Sequence, residues 1–179
     1  MPKNILVVGS LAYDSISTPE GAVEKTLGGS ANYFSVSASL FAPVRVVGVV
    51  GADYADEDWD LLHSRKVDTA GLLKQPGKTF HWSGKYSGDM NEAQTLATDL
   101  NVFEHFNPEL PLHYRDSEFV FLANIAPELQ LRVLDQVKNP ELVASDTMNF
   151  WIQSDLPKLK KVLERVNVCL INEGEAKAI

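Results

Sequence analysis

Five short runs of branched apolar residues, at 5–8, 45–50, 119–122, 142–145 and 168–171, alternate with longer stretches whose apolar residues recur at helical spacing. That alternation constrains the fold more than any other feature of the chain. Parallel strands need a crossover of a dozen or more residues, usually a helix, and they bury both faces, so the pattern predicts a mostly parallel sheet covered by helices. Helices are expected over 31–41 and over 56–65, where an acidic start suits the positive helix end and Trp59, Leu61 and Leu62 turn toward the sheet. A third is expected after Pro127, with Leu129, Val133, Leu134 and Val137 as its apolar stripe. A fourth is expected after a Ser154 cap, presenting Leu156, Leu159, Val162, Leu163 and Val166.

Two segments break the rhythm. Residues 22–27 and, at greater length, 78–103 show aromatics in alternation, a polar turn and a second alternating run, the signature of antiparallel strands. Such strands cannot join the parallel core in sequence order. Insertions at about 15–27 and 78–103 are therefore expected to form a small β lid over a cleft, carrying Phe80, Trp82 and Tyr86. A surface hairpin or a contact between subunits is the plainer alternative.

Net charge is -8 over 179 residues, which argues against a nucleic-acid or anionic-membrane surface, since both call for a dense Lys/Arg face. A small-molecule partner is expected. The lone cysteine, Cys169, lies in the apolar run "VCLI", so no internal disulfide can form and a reducing cytoplasm is the expected location. His63, His81, His105 and His113 show no metal-binding spacing. The opening "MPKNILVVGS" is too short in apolar residues for a signal peptide or a membrane span.

Chemistry-bearing residues gather after the strands. Asp14 follows the first strand in "VVGSLAYDSI", placing a carboxylate near the carboxyl end of the sheet, where open α/β folds bind ligands. The stretch "TLGGSANYFSVSASLFA" begins a helix with Gly28 and Gly29, and Asn32 follows one turn in. It lacks the Lys-Ser/Thr of a phosphate loop and the third glycine of the dinucleotide fingerprint, so a nicotinamide-dependent oxidoreductase is disfavoured. A neutral, hydroxyl-bearing ligand fits better; the plainer alternative is that the glycines only let the helix pack tightly on the sheet. In "SDTMNFWI", Asp146 and Asn149 are placed at the cleft edge, either to contact substrate or phosphates or to cap the turn.

The succession "GSLAYD", "LGGSANYFSVSASLF", "VRVVGVVGADYAD", an aromatic segment and "INEGE" resembles the ribokinase-like (PfkB) family of carbohydrate and nucleoside kinases across essentially the whole chain. The resemblance implies a Rossmann-like three-layer α/β/α fold with a small antiparallel β lid. It implies transfer of the ATP γ-phosphoryl group to a hydroxyl of a sugar or nucleoside, with Asp14, Gly28, Gly29 and Asn32 contacting substrate. The motif Asn172-x-x-Glu175 is similar to the family's Asn-x-x-Glu, implying Mg²⁺ held through water; as an alternative, Glu173 and Glu175 are first-turn acids of a helix. Lid strands pair between subunits in some relatives, which would make a homodimer.

The chain departs from that family in two parts. The Asp-Thr-x-Gly-Ala-Gly-Asp type signature that supplies the catalytic base, and the adenine region beside it, are not found; the Gly-Ala-Asp at 51–53 falls after the second strand and is given no role. The helix begun by "NEGEAKAI" stops after about two turns, short of the roughly 11-residue mean. These residues therefore read as the N-terminal, substrate-binding portion of a larger kinase, with no catalytic residue of their own and most of the ATP site elsewhere. The alternative is a non-catalytic sugar or nucleoside binder.

Overall fold

A computed structural model describes residues 3–88, 90 and 93–179 of the chain. Among the described residues, ten strands are arranged in two sheets. Strands β1 (Ile5–Val8), β4 (Val44–Gly51), β5 (Asp68–Gln75), β8 (Phe119–Leu122), β9 (Leu142–Asp146) and β10 (Val168–Leu170) form a six-stranded sheet in the order β10-β9-β8-β1-β4-β5. Every pairing in it is parallel, with Ile5 set between Val44 and Phe119.

Alternation along β1 divides the core in two. Leu6 and Val8 face a cluster with Val133, Leu134 and Val162, on α3 (Pro127–Leu134) and α5 (Leu156–Leu163). Val7 faces the opposite cluster with Ala31, Ala38 and Leu62, on α1 (Ser30–Ala38) and α2 (Asp56–Ser64). The three-layer α/β/α arrangement expected from the sequence is the one observed. The period of two in each strand supplies both faces, and the helical stripes cover them.

Strands β2 (Ala12–Thr18), β3 (Gly21–Gly28), β6 (Phe80–Tyr86) and β7 (Ala93–Asp99) make the second sheet, in the order β3-β2-β6-β7. It is mixed, not antiparallel as expected. Each hairpin is antiparallel, but β2 and β6 run parallel, with Ala12 beside Phe80. Both strands leave the parallel core at the same end, β2 directly after β1 and β6 after β5, and so they meet in the same direction. The run expected as strand through Phe103 instead ends at Asp99 and turns into a 3-10 segment, Asn101–His105.

Other boundaries shift for local reasons. Helix α1 stops at Ala38 instead of residue 41; the chain turns ahead of Pro43, and Leu40 and Phe41 are exposed. Ser154 does not cap a helix: it closes an additional short helix, α4 (Asn149–Ser154), its hydroxyl donating to the Phe150 carbonyl at 2.6 Å, and α5 begins beyond Asp155. The edge strand β5 was not expected, because "DTAGLLKQ" contains a glycine and little alternation. The chain ends in α6 (Glu173–Ala178). Among the described residues no helix is long and apolar enough to cross a membrane.

Candidate functional site

Gly28, which ends β3, and Gly29, which precedes α1, serve different neighbours. Gly29 has φ 89°, a left-handed backbone that disfavours side chains, and a Cβ there would overlap the Ser10 carbonyl oxygen and lie 2.8 Å from the Ala12 nitrogen. The β1–β2 connection is thus pressed directly onto the start of α1, and the Ala31 N–H donates to Ser10 O at 3.0 Å. At Gly28 the missing side chain makes room for the Asp14 carboxylate, which lies across its α-carbon. Asp14 itself is half-buried on β2. Burial pushes its carboxyl above the usual carboxylate range, while the nearby His81 acts in the opposite direction.

Asn32 braces this arrangement from beneath. Its buried amide donates to the Gly28 carbonyl at 2.5 Å and accepts from the Tyr54 hydroxyl at 3.0 Å. The structure therefore brings together Asp14, Gly28, Gly29 and Asn32, with Asp14 as the acidic member and Asn32 holding the glycine peptide.

A chain of polar contacts that sequence reading missed continues from there. The Ser10 hydroxyl accepts from the Ser30 N–H and lies 3.3 Å from the Ser30 hydroxyl. Ser30 Oγ accepts from the backbone N–H of Asn124, just past β8, and Asn124 Oδ1 accepts from the Trp151 indole on α4. Beside it, buried Gln130 donates to the carbonyls of Leu122, Ala123 and Asp146, tying the carboxyl ends of β8 and β9 together. No spacing rule links residues 10, 30, 124 and 151. Only the parallel sheet brings them to one end.

Asp146 closes β9 at that same end, and Asn149 sits exposed in the first turn of α4 without a capping bond. Burial first, and then the Glu175 charge, push the Asp146 carboxyl up to about 6, against a backbone hydrogen bond from Thr147. The native state then holds more protons than the unfolded chain between about pH 4 and 6, so stability falls as pH rises through that window. Asp146→Asn is expected to stabilise the protein at pH 7.5 by roughly 1–2 kcal/mol, after allowing for partial solvent access, with the gain shrinking toward pH 4. Urea melts at both pH values check this; an equal gain at both would refute it.

Asn172 and Glu175 form a capping box on α6. Asn172 Oδ1 accepts from the Glu175 N–H and Glu175 Oε2 accepts from the Asn172 N–H, both at 2.9 Å. The motif therefore has a helix-starting task, while the buried Glu175 carboxylate also faces Asp146 closely enough to raise its pKa. Among the described residues no cluster of three His, Cys, Asp or Glu side chains is placed to bind a metal directly. The hard oxygens of Asp146 and Glu175 suit a hydrated divalent ion held through its waters.

The three aromatics of β6 are not equivalent. Phe80 belongs to a stacked series with Phe103 and Phe106, at ring separations of 5.5 and 5.3 Å. Trp82 is the cross-strand partner of Asp14, with its ring lying over Gly84 and its indole N–H donating to Thr95 at 3.2 Å. Tyr86 lies at the far end of the strand beside Ala93. Across the same sheet, Ser15 Oγ is 2.8 Å from His81 Nε2 and accepts from the Lys25 N–H, while His81 Nδ1 is 3.4 Å from Asp99. That link stitches all four strands at the bulge, where Lys25 has φ 52°.

No protein-family model matches the chain. The cytidine kinase of Thermococcus kodakarensis is 28% identical over 179 residues, covering 97% of this chain and 63% of that protein. The nucleoside kinase of Methanocaldococcus jannaschii, described as an archaeal member of the ribokinase family, superposes with a TM-score of 0.75 at 20% identity, over 98% of this chain and 62% of that one. The chain has the ribokinase-like fold. The nucleoside kinase of Burkholderia thailandensis, solved with inosine, also superposes, with a TM-score of 0.72 at 18% identity, over 97% of this chain and 62% of that one. The resemblance to the ribokinase-like (PfkB) kinases read from the sequence thus holds in sequence and in fold. The chain spans less than two thirds of the length of each of these relatives.

Proposed function

We propose that this ribokinase-like chain is the substrate-binding part of an ATP-dependent kinase that phosphorylates a hydroxyl of a nucleoside or sugar. The observation that carries the reading is the half-buried Asp14 carboxylate of β2 laid over Gly28 at the end of β3, in a chain that aligns with a cytidine kinase. A carboxylate in that position accepts from one or two substrate hydroxyls. Trp82, next to Asp14 across the strands, offers an aromatic face that suits a nucleobase or a sugar ring. The cytidine and nucleoside kinases among the relatives support a nucleoside, and a ribokinase and a fructokinase of the same fold support a sugar.

In this reading the second sheet acts as a lid that excludes water, and ATP meets the substrate at the carboxyl ends of β8, β9 and β10. The base and most of the nucleotide site come from residues outside these 179. Mg²⁺, held through water by Glu175 and Asn172 with Asp146 nearby, would neutralise charge on the transferring phosphoryl group. Asn149 belongs to the cleft edge. The exposed edges of the second sheet, with Val23 on β3 and Leu96 on β7, would serve pairing of two copies, and the reducing cytoplasm is the proposed location.

The test is a phosphorylation screen of the whole natural polypeptide with ATP, Mg²⁺ and a panel of nucleosides and sugars. Transfer to one class is expected; transfer to none would overturn the reading. Glu175→Gln separates the two roles of that side chain. Glutamine keeps the acceptor of the capping box, so melting should be nearly unchanged, whereas loss of the charge should raise the Mg²⁺ concentration needed for half-maximal rate by roughly 10-fold. An unchanged Mg²⁺ dependence would leave Glu175 with the capping role alone.

A further inference from the structure

A cavity of about 510 Å³, a volume ordinary for small-molecule sites, opens between the end of α3 and the segment that leads into β8. Helix α3 runs back from the carboxyl end of β8, so the cavity lies by the amino ends of β8 and β9, where the Lys138 N–H donates to the Arg115 carbonyl. Asp146 closes β9 at the opposite end. The floor of the cavity is fixed by side chains. Gln136 Oε1 accepts from the Leu110 N–H at 2.9 Å, and its Nε2 donates to the Pro108 carbonyl at 2.8 Å. Half-buried Arg115 holds the same loop, its Nε donating to the Leu110 carbonyl at 3.2 Å. Among the described residues, the two terminal nitrogens of that guanidinium have no partner, and no carboxylate pairs with it. A guanidinium held through Nε keeps a planar two-nitrogen fork, the shape that grips a carboxylate.

The other charges around the cavity decide what else its ligand carries. Arg132 is spent on Glu128 at 3.0 Å and on Asn107 at 2.8 Å, and Asp135 is spent on Arg165 at 2.7 Å. Exposed Glu109 pairs with no cation among the described residues. One positive and one negative charge are therefore left unspent on the same lining. A phosphate ester would gain the fork but meet the repulsion of Glu109, whereas a molecule bearing one carboxylate and one ammonium satisfies both. We propose that this cavity is a second ligand site, for a small zwitterion of the amino-acid type, with its carboxylate on the Arg115 fork and its ammonium toward Glu109. The site shares no residue with the proposed substrate site and stands or falls without it.

The test is calorimetric titration of each standard L-amino acid into the whole natural polypeptide, with acetate, methylammonium and inorganic phosphate as further probes. At least one amino acid is expected to bind with a Kd below about 1 mM, and roughly 10-fold or more tightly than acetate or methylammonium. Arg115→Lys keeps the charge but loses the fork, and is expected to weaken that binding by roughly 10-fold. Glu109→Gln alters only an exposed side chain, so melting should be unchanged while amino-acid affinity falls by roughly 3- to 10-fold and acetate affinity does not fall. Asp14→Asn is expected to leave amino-acid binding as it was. The proposal is overturned if no amino acid binds, if phosphate binds more tightly than all of them, or if either cavity variant retains wild-type affinity. Loss of amino-acid binding in Asp14→Asn overturns it too, because the ligand would then occupy the substrate cleft.

Discussion

Asp14→Asn is expected to weaken nucleoside or sugar binding by about two orders of magnitude while leaving the protein as stable as before or slightly more so. The carboxylate is half-buried against the Gly28 backbone, and burial is the main reason its carboxyl is raised above the ordinary range. Folding therefore works against the charge, and the asparagine removes that cost. What is lost is a charged acceptor for ligand hydroxyls, with hydrogen bonds to charged groups contributing about 1.5–3 kcal/mol each. The raised pKa gives the pH dependence a definite sign. As pH falls the native carboxyl takes up its proton earlier than an ordinary Asp, so ligand binding weakens at a pH where an exposed carboxylate would still be ionised, even as the folding penalty is relieved. Calorimetry with cytidine and ribose from pH 4 to 8, paired with urea melts, separates the two effects. Wild-type affinity in Asp14→Asn would remove Asp14 from the site.

The parallel core was legible because burial on both faces leaves its mark in every strand: "ILVV" and "VRVVGVVG" contain little else than branched residues and glycine. The edge strand β5 was not, since Asp68, Lys74 and Gln75 are exposed and only Gly71 and Leu72 are buried, so no alternation survives. The parallel pairing of β2 with β6 depends on where β5 ends, information that no local window holds. The site divides in the same way. Asp14 and the glycine pair could be found by spacing, because β2, β3 and α1 follow each other directly along the chain. The Ser10–Ser30–Asn124–Trp151 series could not, because its members come from four separate elements and meet only through the sheet order. Glu175 shows the opposite limit: its motif was visible, but the capping box and the contact with Asp146 are two roles that the same letters describe.

The neighbouring glycines should respond to alanine in opposite ways. At Gly29 the backbone has φ 89°, and the new Cβ would meet main-chain atoms of residues 10–12 that are themselves held by β1 and by the bond to Ala31. No side-chain rotation relieves that overlap. Gly29→Ala is therefore expected to cost about 3–5 kcal/mol, combining left-handed strain with forced backbone displacement, and to lower the melting temperature by roughly 10 °C or more. At Gly28 the obstacle is the Asp14 carboxyl group, the end of a rotatable side chain. Gly28→Ala is expected to cost no more than about 1–2 kcal/mol but to swing the carboxylate away, reproducing most of the binding loss of Asp14→Asn. The double variant Gly28→Ala with Asp14→Asn should then bind little worse than either single one, because both remove the same interaction. Melts and titrations of the four proteins decide the matter: additive binding losses would mean that Gly28 approaches the ligand through its own backbone, and a mild Gly29→Ala would mean that the β1–β2 connection can yield.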